Sequence, residues 1–186
     1  MSLAGRPARV VLLDRDGVIN EDTDDFIKAP DEWRPIRGSL EAIAALTRAR
    51  MRVVVVTNQS GIGRGLYDLA MLDEIHARMR AAIAAAGGEL AGIYYCPHLP
   101  DAGCECRKPR PGLLRRIERE LDCSLAGVPF VGDRPSDVAA AVGIGARPII
   151  VRTGKGAETE RALADPAVEV FDDLDSAVRA ILAEGY

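Results

Sequence analysis

Residues 10–20 read VVLLDRDGVIN, an apolar run that leads directly into two carboxylates. The run Val10–Leu13 predicts a strand that is buried on both faces. Asp14 and Asp16 lie two positions apart where this strand ends, so their side chains point to the same side, and Gly17 lets the backbone turn sharply. Because neighbouring carboxylates repel each other, the pair favours a bound cation or a shared proton. We interpret Asp14 as a nucleophile and Asp16 as its acid/base partner; the alternative is an acidic turn that only ends the strand.

The composition is that of a globular chain with a small acidic excess. Its 186 residues are 48% hydrophobic and 28% charged, with a formal net charge of −4, which predicts one domain with a substantial core. The acidic balance argues against a nucleic-acid partner, and no apolar run reaches the roughly 18 residues of a membrane span. Residues 1–8 are expected to be a leader, disordered or left over from cloning, and residues 9–186 a single domain. Because the N-terminus lacks a signal-peptide core, we expect a cytoplasmic protein whose four cysteines stay reduced or bind metal.

Strand and helix signals alternate along the whole chain. Residues 52–56 are a β-branched run typical of a buried parallel strand, and residues 68–86 have the spacing of a helix with one apolar face. This alternation predicts an α/β fold with a doubly wound parallel sheet. Residues 20–33 lack periodicity and are interpreted as a long loop, either a lid over the site or a surface excursion pinned by Trp33. The other predicted strands cover residues 90–95, 128–131, 148–151 and 168–170, and the other predicted helices are one capped by Ser39 and those at 113–121, 138–142, 157–164 and 173–184.

Polar clusters follow four of the predicted strands at their carboxyl ends. In an open parallel sheet this edge forms the ligand crevice, so we expect the four clusters to converge there. The clusters are Asp14 with Asp16, Thr57 with Asn58, residues 96–108, and Asp133.

A magnesium site is predicted from the carboxylates. Asp14, Asp16 and Asp133 offer oxygen ligands, and Mg²⁺ takes few protein ligands because it keeps waters and substrate phosphate. Asp137 is expected to orient the site from behind. The alternative for Asp133 and Asp137 is a plain turn that starts a helix.

A phosphate-binding role is predicted for the second and third clusters. Thr57, Asn58 and the Gly-rich turn after them offer hydroxyl, amide and backbone N–H donors at a strand-to-helix junction. Lys108 follows Arg107, and an ammonium near the carboxylates would hold Asp14 ionised and neutralise phosphoryl charge. A flexible turn and a solvated basic loop are the alternatives.

Cys96, His98, Cys104 and Cys106 form a second metal pattern. Three thiolates and one imidazole make a closed set that suits a tetrahedral structural Zn²⁺, with no position left for a catalytic water. We therefore expect zinc to fold the loop that leads into Lys108. Reduced surface thiols are the alternative.

The order of these clusters resembles the haloacid dehalogenase-type phosphatases. Asp-x-Asp-Gly after the first strand, Thr-Asn after the second, a Lys before a helix and Gly-Asp-x-x-x-Asp after the fourth cover about residues 10–151. More narrowly, residues 14–20, 57–65, 92–98 and 106–109 resemble the D-glycero-D-manno-heptose 1,7-bisphosphate phosphatases. The resemblance implies a Rossmannoid, haloacid dehalogenase-like phosphatase domain, active as a Mg²⁺-dependent monomer, with a structural zinc and no large cap domain.

The resemblance also implies a role for each matching residue. Asp14 would attack the phosphorus, and Asp16 would protonate the leaving sugar oxygen and then deprotonate water. Thr57 and Lys108 would stabilise the transferring phosphoryl group, while Asp14, the backbone of Asp16, and Asp133 hold Mg²⁺. The expected reaction removes the C7 phosphate of this small sugar bisphosphate. The implied substrate-binding positions are Asp22, Asp25, Asn58, Gln59, Ser60, Arg107, which is expected to contact the second phosphate, and Arg134.

Three alternative functions remain open at this point. The short segment between His98 and Cys104 also resembles histidinol-phosphate phosphatases, whereas residues 60–65 favour the heptose enzymes. An acidic cluster on an α/β sheet would also serve a phospho-acceptor or sensor module, which needs no Asp16 to drive turnover. A zinc module that binds nucleic acid is disfavoured by the acidic charge and the 4% aromatic content.

Overall fold

The computed structural model describes residues 9–163, 165 and 167–185, so the leader predicted for residues 1–8 and residue 164 of a predicted helix lie outside it. Strands and helices alternate as predicted, and a short 3-10 helix, Pro30–Glu32, lies within the long loop. The strands are β1 (Val10–Leu13), β2 (Arg52–Asn58), β3 (Gly92–Cys96), β4 (Pro129–Gly132), β5 (Arg147–Val151) and β6 (Glu169–Phe171). The helices are α1 (Ser39–Arg48), α2 (Leu69–Ala85), α3 (Gly112–Leu121), α4 (Pro135–Val142), α5 (Gly156–Ala162) and α6 (Leu174–Ala183).

The strands form one parallel sheet in the order β3-β2-β1-β4-β5-β6. The chain winds outward from β1 to β3, returns to place β4 on the other side of β1, and winds outward again. The direction of winding therefore reverses at β1, and a crevice opens at the carboxyl ends of β1 and its neighbours. This topology confirms the doubly wound α/β prediction, and within the described residues no large cap domain interrupts it.

Apolar side chains cover both faces of β1. Val11 and Leu13 belong to the core that includes α1 and α6, whereas Val10 and Leu12 belong to the core that includes α3 and α4. Full burial of one such side chain contributes about 1.5–3 kcal/mol. Since β1 packs between two cores, the position of the residues that follow it is well fixed.

The start of α1 differs from the prediction. Gly38 occupies the N-cap position with φ +85°, and Ser39 is the first helical residue, with no side-chain cap bond. The Ser39 hydroxyl donates a 2.7 Å hydrogen bond to the carbonyl of Ile19 instead. The serine thus ties α1 to the turn that follows Asp16.

α4 begins three residues earlier than predicted, at Pro135. Proline suits the first turn because its missing N–H and fixed φ cost a helix nothing there. The carboxylate of Asp137 accepts hydrogen bonds from the backbone N–H groups of Asp133 (3.2 Å) and Arg134 (3.0 Å). Asp137 therefore lies in the first helical turn, where it caps the helix and faces the site.

Candidate active site

Three of the four predicted clusters supply residues to one cavity of about 350 Å³ at the carboxyl edge of the sheet. The fourth, Asp133, lies outside the lining and is buried beside Asp14. The turn after β1 supplies its carboxylates, the end of β2 its hydroxyl and amide groups, and the loops before α3 and α4 its cations. The lining residues that the sequence predicted are Asp14, Asp16, Asp22, Thr57, Asn58, Gln59, Ser60, Arg107, Lys108 and Arg134.

Lys108 is buried between two carboxylates. Its Nζ lies 3.0 Å from Asp14 Oδ1 and 2.7 Å from Asp137 Oδ1, and it donates a 2.7 Å hydrogen bond to the carbonyl of Val56. Burial lowers the pKa of Lys108, but the charges of Asp137 and Asp14 outweigh burial and hold that pKa above its usual value. Two ion pairs and one hydrogen bond thus surround the charged ammonium, so its position is fixed.

Asn58 places the backbone of Lys108. Its Nδ2 donates to the Lys108 carbonyl and its Oδ1 accepts from the Lys108 N–H, both at 3.1 Å. The Asn58 side chain therefore makes the same pair of hydrogen bonds with the Lys108 backbone that a residue of an adjacent strand would make.

Asp14 is held through one of its two oxygens. Oδ1 accepts from Lys108 Nζ and, at 2.7 Å, from the backbone N–H of Arg15. Within the part of the chain that the structure describes, Oδ2 has no hydrogen bond. Burial raises the pKa of Asp14, and Lys108 opposes that rise. A cation beside this carboxylate would hold it ionised and leave Oδ2 free to attack.

The Asp16 carboxylate accepts four hydrogen bonds. Oδ1 accepts from Arg15 Nε (3.0 Å), Arg15 Nη2 (2.8 Å) and Asn20 Nδ2 (2.9 Å), and Oδ2 accepts from Gln59 Nε2 (2.8 Å). Burial raises the pKa of Asp16, but the Arg15 charge and these hydrogen bonds outweigh it and hold the pKa below its usual range. Asp16 is therefore ionised at rest, and a phosphate dianion arriving beside it would favour proton uptake.

Asp133 fits a metal ligand. Its Oδ2 accepts from the backbone N–H of Lys155 at 2.8 Å, whereas its buried Oδ1 has no hydrogen-bond partner among the described residues. Carboxylate oxygens of Asp14, Asp133 and Asp137 lie within 4.8 Å of one another. A buried carboxylate oxygen without a donor is satisfied by a hard cation such as Mg²⁺. Both oxygens of Asp137 are engaged, Oδ1 by Lys108 and Oδ2 by two backbone N–H groups. Asp14 and Asp133 each keep one oxygen without a hydrogen bond among the described residues, so they are the better-suited side chains.

Two glycines pack against Asp133. Gly17 has φ +81° and Gly154 has φ +56°, and a Cβ at either position would overlap Asp133 Oδ2. Thr153 Oγ1 donates a 2.6 Å hydrogen bond to the Gly17 carbonyl. Our sequence analysis missed this segment, Thr153 to Lys155, although it follows the end of β5 as the other clusters follow their strands.

The loop of residues 20–33 borders the mouth of the cavity, as a lid would, and Trp33 at its end is buried, as in the alternative of a loop pinned by this residue. Two ion pairs fasten it, Arg134 to Asp22 at 2.6 Å and Lys155 to Asp24 at 3.1 Å. Asp25, predicted to bind substrate, is not part of the lining. Thr23 and Asp24, which lie between the predicted Asp22 and Asp25, also line the cavity, and the lining residues that the sequence analysis missed are Arg15, Phe26, Ile27 and Ser136.

The four predicted zinc ligands converge beside the cavity. Their Sγ and Nδ1 atoms approach one another at 3.2–3.6 Å. Zinc bonds of about 2.0–2.3 Å in a tetrahedron place ligand atoms roughly 3.4–3.8 Å apart, so the set fits Zn²⁺. Burial raises the pKa of the Cys96 thiol to about 12, and a bound cation would hold it as the thiolate. Arg107 donates from Nη1 to the carbonyl of His98 at 3.4 Å, which joins this loop to the cavity.

This fold and this set of clusters define a class, the haloacid dehalogenase-like hydrolases. A family model described as HAD-hydrolase-like matches residues 105–177. A solved structure of D,D-heptose 1,7-bisphosphate phosphatase from Bordetella bronchiseptica, complexed with magnesium and phosphate, superposes with a TM-score of 0.92 at 48% identity, over 95% of this chain and 99% of that one.

Two curated relatives narrow the class. D-glycero-β-D-manno-heptose-1,7-bisphosphate 7-phosphatase from Pseudomonas putida is 51% identical over 174 residues, which cover 94% of this chain and 99% of the relative. The protein of the same name from Bordetella bronchiseptica is 49% identical over 177 residues, which cover 95% of this chain and 99% of the relative. The chain therefore belongs to the family of these heptose-bisphosphate phosphatases. Among the described residues, no helix is long and apolar enough to cross a membrane.

Proposed function

We propose that the protein is a Mg²⁺-dependent phosphatase that removes the C7 phosphate of D-glycero-β-D-manno-heptose 1,7-bisphosphate. The observation that carries the proposal is Asp14, held by Lys108 and accompanied by Asp16 in one cavity. A fixed nucleophile with an acid/base group beside it is what transfer through a phosphorylated enzyme requires. Relatives at 49–51% identity, matched over nearly their whole length, carry this activity in their names. The names of these relatives do not favour histidinol phosphate as the substrate.

In the first step, Asp14 Oδ2 attacks the phosphorus of the C7 phosphate. The bond between phosphorus and the sugar oxygen breaks, and Asp16 gives its proton to that oxygen. Thr57 and Lys108 stabilise the charge on the transferring group. Mg²⁺, held by Asp14, the backbone of Asp16, and Asp133, would supply further positive charge at the phosphoryl oxygens.

In the second step, water attacks the phosphorylated Asp14. Asp16, now a carboxylate, takes one proton from this water, and the bond between phosphorus and Asp14 breaks. Inorganic phosphate leaves, Asp14 is again a free carboxylate, and Asp16 releases its proton to solvent as the phosphate dianion departs. This second use of Asp16 separates an enzyme from a module that only stores phosphate.

The remaining lining residues are assigned to substrate binding. Arg107 is the residue we assign to the second phosphate, since a guanidinium matches phosphate with two donors. Arg134 and the segment 58–60 would contact the sugar and its phosphates. Asp22 and Asp25 are assigned to sugar hydroxyls, with the weaker support for Asp25 because it lies outside the cavity lining.

The zinc set supports a structural metal and a reducing compartment. Three cysteines that must stay as thiolates to bind zinc suit the cytoplasm, where thiols are kept reduced. We assign the protein to the cytoplasm, acting as a monomer on a small phosphorylated substrate. Sedimentation of the purified protein at the mass of one chain would support the monomer, and a dimer would contradict it.

A substrate panel tests the proposed function. We expect kcat/KM for the heptose 1,7-bisphosphate to exceed that for fructose 1,6-bisphosphate and histidinol phosphate by more than tenfold. Asp16→Asn should reduce turnover by about 10²-fold or more while the circular dichroism spectrum stays unchanged. Equal preference across the panel would contradict the substrate, and full turnover in the variant would contradict the role of Asp16.

A further inference from the structure

We propose that Trp33 and Tyr67 are positioning residues for Asp16, acting through the side-chain amides of Asn20 and Gln59. The inference rests on the acid/base role that the proposed function gives Asp16. Neither aromatic side chain lines the cavity, and both are buried. Each donates a hydrogen bond to one amide, and each amide donates in turn to one oxygen of the Asp16 carboxylate.

Trp33 fixes the amide of Asn20, and we call the chain of hydrogen bonds from Trp33 through Asn20 to Asp16 the Trp33 arm. Trp33 Nε1 donates to Asn20 Oδ1 at 3.0 Å, and Asn20 Nδ2 donates to Asp16 Oδ1 at 2.9 Å and to the carbonyl of Glu21 at 2.9 Å. An indole N–H is a donor only, so it must face the oxygen of the amide. The amino end of Asn20 is thereby directed at Asp16.

The Tyr67 arm fixes the amide of Gln59. The Tyr67 hydroxyl donates to Gln59 Oε1 at 2.7 Å, and Gln59 Nε2 donates to Asp16 Oδ2 at 2.8 Å and to Thr57 Oγ1 at 2.9 Å. The Tyr67 ring also packs on Gly61, where a Cβ would overlap it. Both hydrogens of the Gln59 amino group are used within the protein, so this amide is fixed against Asp16.

The two arms decide which oxygen of Asp16 can carry the proton. Oδ1 accepts three hydrogen bonds, whereas Oδ2 accepts one, from Gln59. The lone pair that remains at Oδ2 is the one available for a proton. If the Gln59 amide turned over, its carbonyl would face Oδ2, accept that proton and hold it away from the leaving group. Tyr67 disfavours this rotation because a phenol hydroxyl donates a stronger hydrogen bond to an amide oxygen than it accepts from an amide N–H.

The test compares two leaving groups in the same enzyme. An alkyl phosphate, fructose 1,6-bisphosphate, needs a proton on its departing oxygen, whereas 4-nitrophenyl phosphate releases a stable anion without one. The ratio of kcat/KM for fructose 1,6-bisphosphate to kcat/KM for 4-nitrophenyl phosphate does not depend on the concentration of folded enzyme. It therefore reports proton donation even where a variant is less stable.

We expect this ratio to fall about tenfold in Tyr67→Phe and in Trp33→Phe. Poorer proton donation lowers kcat/KM for the alkyl phosphate and leaves kcat/KM for 4-nitrophenyl phosphate unchanged. Tyr94→Phe is the matched control: it also removes the hydroxyl of a buried tyrosine, which donates to Glu120 at 2.8 Å away from the cavity, and it should leave the ratio unchanged. Asp16→Asn, which removes the proton donor itself, should give the lowest ratio of all the variants.

The outcomes separate this inference from the proposed function. An unchanged ratio in Tyr67→Phe and Trp33→Phe, with a collapsed ratio in Asp16→Asn, overturns the positioning role and leaves the proposed function standing. An unchanged ratio in Asp16→Asn overturns the acid/base role itself. A substrate panel that fails to prefer the heptose bisphosphate overturns only the substrate, because neither compound in this test is that sugar.

Discussion

Lys108 is a buried cation between two carboxylates, with 3% of its surface exposed. Lys108→Met would keep the length of the side chain and remove its charge, which leaves the carboxylates of Asp14 and Asp137 buried without the cation that balances them. Breaking a buried ion pair in this way typically costs about 3–5 kcal/mol. We expect the free energy of unfolding, measured with urea in the presence of a metal chelator, to fall by about 3 kcal/mol, and turnover to be lost.

Lys28→Met is the control for this prediction. Lys28 forms an exposed ion pair with Glu32 at 3.9 Å, and such pairs contribute less than about 1 kcal/mol. If both variants lost the same small amount of stability, the view of Lys108 as the charge that balances the site would be wrong.

At the residue scale, chemistry-bearing side chains were easier to predict than the residues that hold them. Asp14, Thr57, Lys108 and Asp133 were found because charged or hydroxyl groups at strand ends are unusual and converge by topology. Tyr67 was not, since an aromatic residue ahead of a helix looks like core. Its function depends on the distance between its hydroxyl and an amide eight residues earlier, which no spacing rule encodes.

Among the connecting elements, the turn of Thr153 to Lys155 controls the position of Asp133. Gly154→Ala would force a side chain against Asp133 Oδ2. We expect turnover to fall at least tenfold and the Mg²⁺ concentration for half-maximal activity to rise, as measured by magnesium titration. This expectation follows because small displacements of a reacting group cost about 10²-fold in rate.

Gly127→Ala separates crowding from backbone strain. Gly127 has φ +74°, close to that of Gly154, but its Cβ would meet nothing within 4 Å. It should lose stability without changing the magnesium titration. The same shift in both variants would mean that backbone strain, not contact with Asp133, causes the effect.

The zinc-binding loop carries Arg107, while Asn58 separately holds Lys108. Removing zinc should therefore disturb binding of the second phosphate more than the chemical step. For Cys104→Ser we expect loss of about one zinc per chain by elemental analysis and a rise in KM for the bisphosphate that exceeds the fall in kcat. Cys123→Ser, which alters a cysteine outside the set, should keep its zinc; a variant of Cys104 with unchanged zinc and KM would refute the site.

At this scale the element types were predictable and several boundaries were not. β1 and β2 were clear from β-branched and apolar runs, because a parallel strand buried on both faces has little choice of composition. The start of α4 was placed too late because residues 135–137 were left outside the predicted helix 138–142, although proline suits a first helical turn. The N-cap of α1 was misassigned because the hydroxyl of Ser39 had a partner from another segment, the carbonyl of Ile19.

For the whole molecule, His76 makes stability depend on pH. It lies buried in α2, and burial together with the Arg15 charge lowers its pKa to about 3. In the unfolded chain His76 binds a proton with a pKa near 6.5, whereas in the folded protein it binds one only near pH 3. The free energy of unfolding therefore falls as the pH drops below about 6.5 and continues to fall towards about 3. The contribution is fully present above pH 6.5.

His76→Gln removes this titration and keeps an acceptor for Arg15, whose Nη1 lies 3.4 Å from His76 Nε2. Between pH 7 and pH 5, wild type should lose about 2 kcal/mol more stability than the variant, as measured by urea unfolding at each pH. Parallel curves for the two proteins would show that His76 takes up its proton in the folded state.

The pairing of Asn58 with the backbone of Lys108 has a consequence for how the molecule can change. Because β2 holds the lysine directly, the loop that carries the four candidate zinc ligands is free to vary in length at its exposed positions, 100–103. Residues inserted there would reshape the rim that a substrate meets and leave the hydrolytic centre undisturbed. The chain is in this sense modular: the choice of substrate can evolve, or be engineered, separately from the reaction.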